Sequence, residues 1–506
     1  MPGTLSRREF IAGLATIAAA LGKVSVAGRR GGLRLLGAPK NIVVLGGGLA
    51  GLAAAYELER AGHNVTLLEA RKIPGGRVRT IRDFPEGLYA EAGATSFPQE
   101  HEFTLGYAAD FGLPIRPAFR FGLDQMAHIR GRSFRIRANG QTEIPLELSP
   151  AEREAGIYGL ARLYLGRYTR QVGNPRKPGW PPDGLRELDQ ISLREFLTRE
   201  GASENAVAIL EASNLGLLGF GLDSISALDA VVTEAITASG IFYEIAGGND
   251  LLPRALRDNF KGSYKKKAVV VRIEQDERSV TVTYNQKGSI KTITADRAVC
   301  ALPFAVLKDI EVVPPFSPEK RRAISELKLT PVTRTYLQFS SKPWEQSGLD
   351  GTAYTDLDIQ LAFSPTLTQA GRRGLLVSYA AGHRALDLGA MSEAERQRIA
   401  LHNMRRVFGS LDAYEGGISY IWHEDPFAQG AYTYFEPWQM TSLLEAAQRP
   451  EGRIHFAGEH TSVWHGWMNG ALESGNRAAA EIVQAESAQA IHVRTNRGHG
   501  AGRQSW

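Results

Sequence analysis

An apolar run, Ile42 to Leu45, breaks off into Gly46-Gly47-Gly48-Leu49-Ala50-Gly51, and few folds accept that juncture. An amphipathic stretch follows to Ala61, and a second apolar run, Val65 to Leu68, ends in Glu69. The order strand, glycine turn, helix, strand, acid predicts a parallel βαβ unit that binds a dinucleotide. In such a unit Gly46 permits the tight turn, Gly48 lets a pyrophosphate approach the backbone, and Gly51 lets helix and strand pack closely. The helix N-terminus offers free N–H groups to phosphate, and Glu69 is placed to accept from a ribose diol. A glycine-rich turn in an unrelated α/β domain would explain the glycines alone. It would not explain the acid about 20 residues on.

At 506 residues the chain has room for two or three domains with their own cores. Its formal charge of +5 sits at the ends: residues 1–27 hold +2 and residues 487–506 hold +3, which leaves 28–486 neutral. Basic character confined to the ends does not argue for nucleic acid. Ser6-Arg7-Arg8-Glu9-Phe10, the uncharged run Phe10 to Gly22, Lys23 and Val24-Ser25-Val26-Ala27 have the layout of a twin-arginine export signal, with cleavage after Ala27. The apolar run is short for a bilayer span; a signal anchor is the alternative. The expected location is periplasmic or secreted, with the twin-arginine export machinery as a partner. Cys300 is the single cysteine, so no intrachain disulfide forms, and no Cys/His cluster has metal spacing. No metal is expected.

Residues 28–40 read as a basic linker. SPAEREAGIYGLARLYLG, opened by Ser149-Pro150, and SLREFL, opened by Ser192, predict capped helices on either side of the proline-rich RKPGWPPDG. KAVVVRIEQ and SVTVTYNQ alternate as a hairpin, and KTITADRAVCALP ends that sheet segment. RTYLQFS and GLLVSYAAG read as strands of a second sheet, with a helix near 392–409. Ile454-His455-Phe456-Ala457 is a short strand entering Gly458-Glu459. In the helix that follows, Gly470, Ser474 and Ala478 share a face that can lie close to a backbone or a flat ligand. Its N-terminus, near Met468, is a local positive end. The tail 487–506 is polar, Gly/His/Arg-rich and expected to be disordered.

Five stretches carry a family likeness: GGGLAGLAAAYEL with Glu69, Gly75-Gly76-Arg77, AGGNDLLPRAL, WHEDPFAQGAYTYFEP and FAGEHTSVWHGWMNGALESGNRAA. Together they resemble the flavin-containing amine oxidases, the group of the monoamine oxidases and L-amino-acid oxidases, over nearly everything from 40 to 485. The HGW segment, IEVVPPFSPEKRRAI and TRTYLQFSSKPWE are most similar to the L-amino-acid oxidase branch. The resemblance implies an α/β fold: a Rossmann-type FAD-binding domain, a mixed-sheet substrate domain and a helical insertion. The FAD-binding segments would be 41–95, 241–310 and 445–486. The substrate domain would be 96–145 and 311–444, and the insertion 146–240.

The resemblance also implies roles. Gly46, Gly48, Gly51 and Glu69 would hold the ADP half, and Arg77 would sit by the ribityl-pyrophosphate region. Arg71, Gly76, Gly93, Ala94 and Gly458 complete the cofactor set. Val270 would contact adenine through its backbone, Glu459 would lie beside the ribityl chain, and Trp467 and Met468 would meet the isoalloxazine. Tyr432 and Trp467 match the aromatic pair in front of the flavin, where ring faces attract an amine nitrogen and exclude water. A desolvated pocket favours the neutral amine. That form loses hydride from its α-carbon to flavin N5, and water hydrolyses the imine; O2 then gives H2O2. His465 is either a proton shuttle or a structural histidine beside the flavin.

Three departures qualify the likeness. Ala431 stands where some relatives tether FAD through cysteine, so FAD should be noncovalent. Ser96 stands where L-amino-acid oxidases clamp the substrate carboxylate with arginine, and a hydroxyl does not replace a bidentate guanidinium. Either Arg116, Arg120 or Arg130 clamps instead, or the substrate is an amine without an α-carboxylate. Arg334 stands where many family oxidases hold a water to flavin N5 with lysine; Lys328 is near but off register. Arginine keeps the charge but cannot be deprotonated. The leading expectation is an oxidase of an amine or amino acid. The alternatives are a dehydrogenase with a periplasmic acceptor and a non-oxidising flavoprotein such as an isomerase. The implied partners are a small-molecule substrate, O2 and, as an open alternative to a monomer, a second copy.

Overall fold

The computed structural model describes residues 33, 37–118, 122–174 and 179–500, the side chains beyond 487 excepted. The expected export signal, most of the linker and Arg120 lie outside these residues. The glycine motif sits at the C-terminal end of the central strand of a five-stranded parallel sheet. Strand β1 (Asn41–Leu45) leads into helix α1 (Leu49–Arg60) and strand β2 (Asn64–Glu69). Three later strands join them: β3 (Ser263–Lys266), β4 (Arg297–Cys300) and β5 (Ile454–Phe456). The order is β3-β2-β1-β4-β5, with every neighbour parallel. Val43, Val44 and Leu45 are fully buried because both sheet faces are covered. Each such side chain contributes roughly 1.5–3 kcal/mol through burial.

Helix α1 lies along the final helix α2 (Met468–Gly500). A Cβ on Gly475 would stand 2.3 Å from the Ala50 carbonyl oxygen, so glycine is what permits this approach. The expected stripe therefore divides its work. A Cβ on Gly470 would stand 2.1 Å from the Trp464 carbonyl oxygen, and the Ser474 hydroxyl accepts from Gly458 N at 2.9 Å, both on the helix's own preceding loop. Two other expectations are corrected. KTITADRAVCALP is split between sheets: Ser289–Ala295 pairs with the hairpin, whereas β4 crosses to the parallel sheet. Asp296 makes the turn, exchanging bonds with Asn41 at 2.7 and 2.8 Å. Helix α2 also runs on into the tail read as disordered, because no glycine or proline interrupts residues 476–497.

A seven-stranded mixed sheet carries two further hydrophobic clusters of its own. Val332–Phe339 lies inside it, antiparallel to both Gly374–Ala381 and Tyr414–Ile421. The hairpin Ala268–Gln275 and Val280–Gln286 and the helix Glu393–Phe408 form as the sequence predicts. So do Pro150–Thr169, with a full capping box between Ser149 and Glu152, and Leu193–Arg199, capped by Ser192.

Candidate active site

The turn after β1 is built from backbone. A Cβ on Gly51 would stand 1.9 Å from the Gly46 carbonyl oxygen, whereas one on Gly48 would meet nothing within 4 Å. Gly46 has φ +101°, a left-handed value that side chains oppose. Gly76, at φ +58°, packs on Gly48, and Gly75 N donates to the Gly47 carbonyl at 2.9 Å. A Cβ on Gly93 would stand 1.8 Å from the Arg77 carbonyl oxygen, so the 75–79 and 92–94 loops touch. Helix α1 starts on Gly48 with no acidic residue in its first turn and no side-chain cap. The open space at Gly48 lies at this N-terminus, which suits phosphate. Glu69 accepts from Gly47 N and Arg71 N, each at 2.6 Å, and burial pushes its carboxyl above the usual range. Arg71 pairs with Asp425 and lies over the Phe427 ring, and its carbonyl accepts from Lys267 N at 3.1 Å. That bond brings the strand carrying the buried Val270 to the end of β2.

Glu459 joins three distant segments. Its carboxylate accepts from Arg77 at 2.6 Å, Thr433 N at 3.2 Å, Thr433 Oγ1 at 3.0 Å and Gly466 N at 2.8 Å. Burial alone would raise its pKa; the Arg77 guanidinium and these donors outweigh burial and hold it down to about 2. Arg77 also donates to the Ala431 carbonyl at 3.0 Å. The segment expected beside a ribityl chain is thus a rigid joint. Gly458, at φ +138°, starts it.

The aromatic pair flanks Gly466. A Cβ there would lie 3.8 Å from the Tyr432 Cβ, and Trp467 is the next residue in the chain. Among the described ring contacts none joins Tyr432 to Trp467 directly. Trp467 packs edge-on to His101 at 5.0 Å and against Phe242 at 6.3 Å. The Tyr432 hydroxyl donates to the Leu217 carbonyl at 2.6 Å and accepts from the Tyr379 hydroxyl at 3.0 Å. Tyr379, Asp229 and His101 were not singled out from the sequence. Tyr379 is the one half-buried residue of Gly374–Ala381, which only the structure reveals.

Two expected catalytic residues are placed differently. Arg334 does not face an open chamber. Its Nη1 donates to the carbonyls of Glu91 and Gly93, both at 2.8 Å, and to Thr95 Oγ1 at 3.0 Å, and the guanidinium lies 4.3 Å behind the Tyr379 ring. The reason is burial: its strand is covered on both faces, and the 91–95 carbonyls are its available acceptors. Asn249, from the AGGND stretch, holds the same loop through the Ala94 and Thr95 carbonyls. His465 is paired with a carboxylate of the helical insertion. It is buried, and its Nε2 binds Asp229 Oδ1 at 2.7 Å. Burial alone would lower its pKa; the Asp229 carboxylate raises it instead. Asp229 also accepts from Phe435 N at 2.8 Å, so the pair ties the helical insertion to the Tyr432 segment.

Arg116 is spent on Glu244, the Thr368 carbonyl and the Tyr89 hydroxyl. Arg130 is a surface residue beside Glu204, and Lys328 pairs with Glu436 at 2.8 Å. Neither Arg116 nor Arg130 clamps a carboxylate near Tyr432. The remaining residues fit FAD. Gly48 leaves room for a pyrophosphate, and α2 begins at Met468 with no acidic residue in its first turn. Beside that start, Asn469 Nδ2 and both His101 nitrogens are buried polar atoms with no protein partner.

Comparison with known proteins agrees with this geometry. The family model for flavin containing amine oxidoreductases matches residues 49–483. The chain is 33% identical over 473 residues to the putative L-amino-acid oxidase YobN of Bacillus subtilis (strain 168), covering 90% of this chain and 96% of that protein. It is 30% identical over 487 residues to the L-amino acid oxidase Lm29 of Lachesis muta, covering 92% and 91%. Putrescine oxidase bound to putrescine has a similar fold, with TM-score 0.77 and 23% identity over 88% of this chain and 99% of that one. Cyclohexylamine oxidase from Brevibacterium oxydans IH-35A gives 0.75 and 22% over the same shares.

Proposed function

This chain belongs to the flavin containing amine oxidoreductases, uses FAD and acts on amines, and from that premise we propose that it oxidises an amine or L-amino acid to an imine, with O2 as electron acceptor. The observation that carries this reading is the half-buried Tyr432–Gly466–Trp467 wall at the N-terminus of α2. Bound FAD would supply a hydride acceptor at N5, and its reoxidation by O2 would give H2O2. The protein's part is positioning. Tyr432 is fixed through its hydroxyl, and its backbone is paired with Thr330: Thr330 N donates to the Tyr432 carbonyl at 2.8 Å. Trp467 is backed by His101, which burial pushes down to about 3 and keeps neutral. The two ring faces hold the amine and keep water away, which favours its neutral form. The α2 N-terminus places a positive dipole end where negative charge develops. No residue need act as base when the amine enters neutral. Gly46, Gly48, Gly51, Glu69, Arg71 and Arg77 would hold the dinucleotide, noncovalently since Ala431 has no thiol.

A specific observation favours a second acceptor. Arg334 binds the 91–95 loop through Nη1, and its guanidinium, unlike a lysine ammonium, cannot be deprotonated. Electron transfer to a periplasmic carrier is the reading that follows if oxygen reacts slowly. We also propose export by the twin-arginine route, on the strength of Arg7-Arg8 and the run to Ala27. The test of function is anaerobic flavin bleaching by L-amino acids, their decarboxylated amines and polyamines. Bleaching by none would sink the reading. Readmission of air, with H2O2 counted, separates oxidase from dehydrogenase. An Arg7→Lys, Arg8→Lys chain that still reaches the periplasm would refute the export route.

A further inference from the structure

The Tyr379–Tyr432 pair has a hydrogen-bond direction that the backbone dictates. A carbonyl only accepts, so the 2.6 Å contact between Tyr432 and Leu217 consumes the Tyr432 proton. Tyr432 then receives from Tyr379 at 3.0 Å, which consumes the Tyr379 proton. The Leu217 carbonyl is well anchored. The loop after it presses on Tyr434, which a Cβ on Gly219 would meet at 2.6 Å, and Gly219 N donates to Thr330 Oγ1 at 3.0 Å. Arg334 behind the Tyr379 ring makes that phenol a stronger donor and reinforces the direction.

Resting on the amine-oxidation reading, we infer that the Tyr379–Tyr432 subsite presents acceptor lone pairs only, and so receives a hydrogen-bond donor of the substrate, such as a carboxamide or second amine, and not an α-carboxylate. A carboxylate brings two acceptor oxygens to a wall with no proton to give, and an unmade bond to a charged group in a desolvated site is costly. The opposing effect is the Arg334 charge, which attracts anions through the ring. Its Nη1 is shared among three oxygens and none of these is a carboxylate, while its Nε is buried without a protein partner.

The experiment compares L-amino acids with their own carboxamides on the FAD-loaded enzyme. Binding is read from the difference spectrum of the oxidised flavin under anaerobic conditions, and reduction is followed afterwards. Phenylalanine, leucine and lysine with their amides are the probes. The amide is expected to bind at least tenfold tighter than the acid in at least one pair. Tyr379→Phe should erase that ratio. Tyr432→Phe keeps the ring but returns the Tyr379 proton to the site, and should move the ratio toward the acid. Acids that bind as tightly as their amides in all three pairs overturn the inference; if Arg334→Met then weakens the acids, the guanidinium is the carboxylate anchor. A ratio unmoved by Tyr432→Phe also overturns it. Because the ratio is a binding measurement, it stands whether or not any probe reduces the flavin, and failure to reduce refutes the catalytic reading separately.

Discussion

The two ends of the proposed FAD site are made in opposite ways. The end at Gly46–Gly51 is made of missing side chains: its shape depends on a Cβ that would fall 1.9 Å from a carbonyl oxygen. The end at Tyr432 and Trp467 is made of large side chains held by partners from four other segments, at Leu217, Tyr379, His101 and Phe242. The first end is local and brittle. The second is assembled, and each ring can be removed without forcing backbone to move. Loss of one end should therefore empty the site, whereas loss of the other should leave it loaded and idle.

The hardest blow to the first end is Gly51→Val, whose Cβ has no direction in which to yield. The expected outcome is a chain with under a tenth of the wild-type flavin after gel filtration. Full flavin content would break the contrast. Next is Arg77→Met at the joint between the ends. It leaves the buried Glu459 carboxylate without its cation, at a cost on the order of 3–5 kcal/mol, to be read as a shift in the chemical unfolding midpoint. Third is Trp467→Ala, expected to keep FAD while turnover falls by about 100-fold, or ~3 kcal/mol in the barrier. Flavin loss there would make Trp467 a cofactor-packing residue and erase the difference. The smallest effect is on pH. Glu459 has a folded pKa depressed from 4.5 to about 2, so its stabilisation is complete above 4.5 and is lost as pH falls toward 2. Glu459→Gln should flatten that acid slope, measured as melting temperature between pH 6 and 3 and compared with wild type.

The contrast also explains what could be read from the chain. The glycine end spans 41–69, so its spacing was visible and the structure follows it residue by residue. The Tyr432 end was legible only through motif likeness. Its partner Tyr379 lies 53 residues away and Leu217 lies 215 away, and neither separation leaves a periodicity. His465 and Asp229 are 236 residues apart; a lone histidine in a loop does not announce a carboxylate on a helix. Arg334 matches the family's lysine position by motif, yet a motif says nothing of which acceptors line the buried side. In this strand those acceptors are the carbonyls at 91–95.

The strand order β3-β2-β1-β4-β5 has a consequence for how the protein is made. The glycine turn is among the first described parts to leave the ribosome, yet β5 and the helix that lies along α1 come last. Roughly four hundred residues separate the first strand of that sheet from its fifth, a high contact order that slows folding. Until the final segment arrives, α1 exposes the alanine face that Gly475 will cover, and the nascent chain has no finished place for a dinucleotide. Cofactor capture thus waits until the segment that carries β5 and the start of α2 has been made.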